Sequence, residues 1–434
     1  IAIFAGNQAD YTFASSEDGL TVTVTDVATG DADTVKNVET LRFDDGDIAV
    51  SYDGNSLVLT GTNAVTDDIK VVGTVAVKVK GVGGADVITG GEGADTLMGA
   101  DGNDIIDGYH GADTIDGAAG SDQLYGGVGD DTISGGNDAD TITGGPGSDT
   151  ITGGADSAVD VAVFAGKQAD YSFESSTDGL TITVRDLMNG YADTVTEIET
   201  LRFDDGDIFV SHDGNNLVLS GSGNPDDIKV VGPIPVTIQG ASGSDRLTGG
   251  AGADTLTGAD GNDIIKGMFG DDTIEGGSGA DAIDGGAGED TIDGGSGADV
   301  ITGGTGSDTI TGGADVDVAV FAGSQSDYTF EPSTDGQIIT VTHVNAGYVD
   351  TLTEIEKLRF DDGEIAVSRD GNELTFTGSG GPDSIKIVGS VPVSIKGRDG
   401  SDIITGSGGS DTITGGEGDD TIEGGVGSDT VEFA

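Results

Sequence analysis

An all-β chain, in which parallel β-roll blocks alternate with small β-sandwich-like spacer domains, is the architecture this sequence points to. Three observations carry that expectation: 80 glycines against 7 prolines in 434 residues, an aspartate recurring every nine residues in three runs, and apolar–polar alternation between the runs. So much glycine without a G-X-Y period excludes collagen, and it disfavours helix, because each glycine in a helix interior costs about 1 kcal/mol. Many tight turns are the remaining use for it.

The first run holds Asp86, Asp95, Asp104, Asp113, Asp122, Asp131, Asp140 and Asp149. The second holds Asp245, Asp254, Asp263, Asp272, Asp281, Asp290, Asp299, Asp308 and Asp317, and the third Asp402, Asp411, Asp420 and Asp429. A glycine stands five residues before each of them, and another stands two before all except Asp140 and Asp317, where Asp138 and Asp315 take its place. Two residues after each comes an aliphatic residue such as Ile88, Leu97 or Ile106, with Ala319 closing the second run. A disordered glycine-rich linker would not hold an aliphatic residue in phase. Nine residues suffice for one short strand and one turn, so eighteen make a coil with turns on both sides, and successive coils lie about 4.8 Å apart. The aliphatic residues then fill a thin core between two sheets, and aspartates eighteen apart stack.

The unit G-G-x-G-x-D-x-U-x, with U aliphatic, resembles the calcium-binding nonapeptide of the RTX family. That resemblance implies a parallel β-roll with Ca2+ between stacked turns, the lower loop giving its Asp and the carbonyls two and four residues earlier, the upper its Asp and those three and five earlier. For the pair Asp95 and Asp113 the carbonyls are those of Gly91, Gly93, Gly108 and His110. Through the ladders the implied glycine ligands include Gly93, Gly102, Gly108, Gly111, Gly117, Gly120, Gly252, Gly261, Gly267, Gly270, Gly276, Gly279, Gly400, Gly409, Gly415 and Gly424. Calcium takes six to eight oxygens, more than two carboxylates supply, so carbonyls must turn inward. Glycine is expected five residues before Asp because it adopts positive φ, whereas the position four before, which tolerates Ala100, Tyr109, Met268 and Arg398, is expected to have an ordinary φ. Pairs eighteen apart give six sites in the first ladder, or seven if Asp140 reaches Asp160 across a two-residue insertion, seven in the second and two in the third: about 16 Ca2+.

The 79 acidic residues against 17 basic ones leave a formal charge of -62, which such ions would halve. This surface repels nucleic acid and anionic membranes, so neither is an expected partner. There is no cysteine, so neither disulfides nor thiolate metal sites are available. No signal peptide and no apolar run fit for membrane insertion are seen, and the resemblance implies type I secretion to the extracellular medium or cell surface.

The block boundaries expected are spacer 1–79, roll 80–163, spacer 164–238, roll 239–320, spacer 321–395 and short roll 396–434. Phe4, Phe164, Phe321 and Phe433 mark the longer period, spaced 160, 157 and 112 residues, as in a segment of a longer array. The spacers share LRFDDGDI at 41–48 and 201–208, LRFDDGEI at 358–365, and DDIKVVG at 67–73 and 226–232. Alternation in LTVTVTD at 20–26 and LTITVRD at 180–186 reads as strand. Asp67-Asp68-Ile69 reads as a degenerate roll turn capping the ladder. Asp44, Asp45 and Asp47 are either a polar hairpin turn, the favoured reading, or an extra Ca2+ site.

No H-E-x-x-H is present, His110, His212 and His343 stand singly, and no residue is assigned to catalysis; the chain is expected not to be an enzyme. Three roles fit: an extracellular structural array such as a surface layer, filament or adhesin, self-associating through calcium; the calcium-binding appendage of a type I-secreted enzyme whose catalytic domain lies elsewhere; or binding by the turn face, disfavoured because positions such as Glu92/Ala94 and His110/Ala112 form no regular row. The Thr column at 96, 114, 132, 141 and 150 reads as β-propensity on a solvated face.

Overall fold

The computed structural model describes residues 1–54, 56–63, 65–371 and 373–432; Phe433 lies outside them. Its regular elements are strands and three short 3-10 turns at Gln8–Asp10, Gln168–Asp170 and Gln325–Asp327. The chain divides into two compact units, residues 1–217 and 218–434, a division that falls inside the second spacer. No helix among the described residues is long and apolar enough to cross a membrane.

In the first unit two parallel ladders run with the expected step of eighteen. On one side Val77–Gly83, Thr96–Asp101, Thr114–Ala119, Thr132–Asn137 and Thr150–Thr152 pair so that Thr96, Thr114, Thr132 and Thr150 are in register. On the other, Val87–Thr89, Ile105–Asp107, Gln123–Tyr125, Thr141–Thr143 and Val161–Val163 do the same, the two-residue insertion before Asp160 being absorbed in the turn. The second unit repeats this, for example through Thr255, Thr273, Thr291 and Thr309. Each strand contributes one inward side chain two residues after its Asp, and Ile88, Leu97, Ile106, Leu124 and Ile142 are fully buried. With one aliphatic per strand, the apolar surface that each nine-residue unit buries is too small to offset the entropy lost in ordering it. A roll of this kind needs another source of stability.

The spacers enter these sheets and do not stand beside them as sandwiches. Thr150–Thr152 pairs in parallel with Ala192–Thr196, and Val161–Val163 with Thr200–Phe203, so the ladder continues through the third and fourth strands of the insertion. What is inserted is an antiparallel pair, Tyr171–Ser175 with Thr181–Asp186, folded back onto Ala192–Thr196, followed by the hairpin of Thr200–Phe203 with Gly206–Asp213. The strand alternation at 180–186 was legible; the pairing of Ala192–Thr196 with Thr150–Thr152 was not, because those parallel partners lie 44 residues apart. The periodic phenylalanines cover the core at this junction: Phe164 stacks on Phe203 with centroids 5.4 Å apart, and Tyr171 lies 5.1 Å from Phe203. Phe321, Phe360 and Tyr328 repeat the cluster in the second unit.

The backbone corrects the expected division of labour between the glycines. Ala100, Tyr109, Met268 and Arg398, four residues before their Asp, have φ of 87°, 75°, 80° and 78°, in the left-handed region expected to be avoided there. Left-handed backbone costs a non-glycine residue about 1–2 kcal/mol, which the stacked turn outweighs. Five residues before, at Gly90, φ is not left-handed; glycine is needed for space. A β-carbon on Gly90 would lie 2.6 Å from the Gly108 carbonyl oxygen and 2.9 Å from Asp95 Oδ2.

Candidate metal sites

Every aspartate singled out by spacing is in the ladder. The Asp86 amide donates to Asp104 Oδ1, that of Asp95 to Asp113 Oδ1 and that of Asp113 to Asp131 Oδ1, each at 2.7 Å. The chain of bonds runs on through Asp122, Asp140 and Asp149 and reaches Asp160, whose Oδ1 accepts from the Asp140 amide at 2.9 Å. In the second unit it links Asp245, Asp263, Asp281, Asp299 and Asp317 in one stack and Asp254, Asp272, Asp290 and Asp308 in the other, then Asp402 with Asp420 and Asp411 with Asp429.

One oxygen of each of these carboxylates is thus used, and along the interior of the stacks the other is stranded. Asp86, Asp104, Asp113, Asp122, Asp131, Asp140, Asp149 and Asp160 each bury an Oδ2 with no hydrogen-bond partner, and the second unit repeats this from Asp245 to Asp317 with the exception of Asp254. A buried, unpaired carboxylate oxygen is costly, and a column of them demands protons or cations. Burial pushes the Asp113 and Asp122 carboxyls up to about 7, and the carboxylates stacked above and below push further in the same direction. Asp272 reaches about 7 and Asp245 and Asp281 about 6 for the same reason.

The stranded oxygens face backbone carbonyls. At Gly126 Asp131 Oδ2 and the Gly144 carbonyl converge on the volume a β-carbon would fill, each at 2.5 Å, and at Gly276 Asp281 Oδ2 and the Gly294 carbonyl converge likewise, at 2.7 and 2.5 Å. Among the described residues no three His, Cys, Asp or Glu side chains form one metal cluster, so an ion here takes two carboxylates and carbonyls. This all-oxygen donor set fits a hard divalent cation of calcium's size and does not fit zinc or copper. Asp95 and Asp113, with the Gly93 and Gly108 carbonyls, would hold one such ion; Gly102, Gly111, Gly117, Gly120, Gly252, Gly261, Gly267, Gly270, Gly279, Gly400, Gly415 and Gly424 occupy the matching turn positions.

The stacks are closed at their bases, which the period did not reveal. Asp95 Oδ2 accepts from the Gly91 amide at 2.8 Å, Asp254 Oδ2 from Gly250 at 2.6 Å and Asp411 Oδ2 from Ser407 at 2.6 Å. Asp67 and Asp383 close the alternate stacks, each taking a 2.8 Å bond from a buried glutamine, Gln8 and Gln325. Asp113→Asn is accordingly expected to remove two ions and Asp95→Asn at most one, read as the Ca2+ count in native mass spectrometry; equal losses would contradict shared ions between stacked turns.

The structure also extends the ladder beyond the period. Asp149 donates to Asp193 Oδ1 at 2.8 Å and Asp308 to Asp350 Oδ1 at 3.0 Å. The signal was present as Asp-Thr-aliphatic in 193–195 and 350–352, but forty-odd residues separate the partners. The FDDGDI acids serve the hairpin: Asp44 and Asp45 accept from the Gly6 and Gln8 amides, and Asp47 pairs with Arg42 at 2.7 Å. His343 Nδ1 accepts two turn amides, Asn345 and Ala346, each at 3.3 Å.

An acidic parallel β-roll whose turns stack carboxylates against carbonyls is a calcium-binding repeat fold. The chain matches the RTX calcium-binding nonapeptide repeat over residues 80–115, 89–124, 104–133, 125–157, 237–265, 257–292, 284–319, 293–327 and 396–431, and its three ladders are RTX repeats. No curated protein matches it. Among solved structures it is similar to the extracellular lipase LipA from Serratia marcescens at 17% identity and a TM-score of 0.18, over 67% of this chain and 43% of that one.

Proposed function

We propose that this chain is a calcium-dependent structural segment of an extracellular protein, built for an array such as a surface layer, filament or adhesin, and carries no catalytic residues of its own. The observation that supports this best is the unbroken pairing from nonapeptide strands into spacer strands, Thr150 with Thr194 and Val161 with Thr200, repeated as Thr309 with Thr351 and Val318 with Lys357. A spacer tied into the sheet transmits the orientation of its ladder, as a repeat built for regular assembly requires. Millimolar calcium outside the cell fills the stacks, and cytosolic calcium leaves them empty, so the chain folds after export. Light scattering and circular dichroism followed together during Ca2+ titration test the reading. Assembly is expected to set in above the calcium concentration at which folding completes; a folded chain that stays monomeric at millimolar calcium would favour the appendage of a secreted enzyme.

A further inference from the structure

We infer that a calcium site of a different kind closes the first ladder, formed by Asp160, the Glu197 carbonyl and Glu199, with a counterpart at Asp317, Glu354 and Glu356. It rests on the reading that the stacked aspartates bind calcium, and it lies outside the nonapeptide ladder, since Glu197, Glu199, Glu354 and Glu356 belong to no nonapeptide.

Glu199 occupies the place of the next aspartate. Its Oε2 accepts from the Asp160 amide at 2.8 Å, and the following Thr200 amide donates to the Asp160 carbonyl at 3.1 Å, as Thr132 does to Asp113 at 2.8 Å. Glu356 does the same for Asp317 at 3.1 Å. Asp160 is fully buried, and its Oδ2 has no hydrogen-bond partner; Asp317 is in the same state.

The carbonyl half of the site is also rebuilt. A β-carbon on Gly153 would collide with the Glu197 carbonyl oxygen and lie 2.6 Å from Asp160 Oδ2; on Gly312 it would collide with the Glu354 carbonyl and lie 2.8 Å from Asp317 Oδ2. This is the convergence of carboxylate and upper carbonyl that Gly90 shows within the ladder. Both glutamates that present the carbonyl are left-handed, with φ of 53° and 54°. A strained non-glycine residue at the same place in both units holds that oxygen in position.

The change from Asp to Glu follows from the turn. In the ladder five residues separate the carbonyl glycine from its Asp, as from Gly144 to Asp149, whereas two separate Glu197 from Glu199. The shorter turn sets the backbone differently, and one more methylene lets the carboxylate reach the same amide. The shortened turn also offers fewer carbonyls, and Glu199 is only half-buried, so water completes the six to eight ligands and the affinity is lower than in the ladder. In the second unit Arg369 lies 3.8 Å from Glu356, and that cation makes the counterpart the weaker of the two.

The test uses the whole chain, with calcium alone as the ligand. Native mass spectrometry at saturating Ca2+ is expected to show Glu199→Gln binding one ion fewer than wild type, and Glu199→Gln with Glu356→Gln two fewer. Hydrogen exchange on the wild-type chain gives a reading that no variant can spoil. Amides in 197–203 are expected to gain protection at a higher calcium concentration than those in 113–133. An unchanged ion count, or protection of 197–203 that follows the ladder at the same calcium concentration, would overturn the inference and leave these glutamates as amide caps. Absence of bound calcium throughout would instead remove the ladder reading itself.

Discussion

Chelation of calcium is expected to unfold this protein: far-ultraviolet circular dichroism should lose its β signal and the hydrodynamic radius should rise in excess EGTA at neutral pH. A site of about 10⁻⁴ M affinity in about 1 mM Ca2+ contributes roughly 1.4 kcal/mol by mass action, so seven filled sites contribute about 10 kcal/mol. Whole domains are stable by about 5–15 kcal/mol, so that contribution decides whether the roll folds. The core cannot replace it, since each strand buries a single aliphatic residue such as Ile115 or Ile133. Without the ions the stranded Oδ2 atoms of Asp104, Asp122 and Asp140 stack in one column and those of Asp113, Asp131 and Asp149 in another, in a chain of formal charge -62. A circular dichroism spectrum unchanged by the chelator would refute this account of the fold.

Acid should substitute for calcium. The Asp113, Asp122, Asp140 and Asp149 carboxyls are raised to about 7 in the fold by burial, with stacked like charges adding to it, from an ordinary 3.8. Between about pH 4 and 7 the folded chain therefore binds more protons than the unfolded chain. A group raised in the fold contributes stability that is complete below its unfolded value and lost as pH rises through its folded value. Chain stripped of calcium by chelating resin is expected to be unfolded at pH 8 and to regain β signal near pH 5. In the presence of calcium, protons compete for the same oxygens, so the calcium midpoint should rise as pH falls below about 7. Identical spectra of the stripped chain at pH 8 and pH 5 would show that stacked carboxylates do not control folding.

The nine-residue period was sufficient to place all of the ladder aspartates, the inward aliphatic residues and the eighteen-residue coil. Each of these is a local requirement: a short strand, a turn and a carboxylate at one point in it recur whatever lies further along the chain. The same locality made the left-handed position misleading. Residue type at Tyr109 and Met268 suggested ordinary backbone, yet φ there is set by contact with the coil below, and only stacking reveals it. The converse holds at Gly90, whose glycine answers to the Gly108 carbonyl eighteen residues away and not to its own φ.

The degenerate turn at Asp67-Asp68-Ile69 was legible as the start of the first ladder and pairs with Val87–Thr89; what tertiary structure alone decided is which side chains close each stack and where it ends. The capping of Asp67 by Gln8, the reach of Asp149 to Asp193 and of Asp160 to Glu199 join residues 59, 44 and 39 apart. The sequence holds the short signatures, Asp-Thr-Val at 193–195 and Glu-Thr-Leu at 199–201, but nothing local says which coil they complete. That is settled by the hairpins folding back, because an insertion returns to the ladder only where its strand can pair in register and its carboxylate can meet the last free amide.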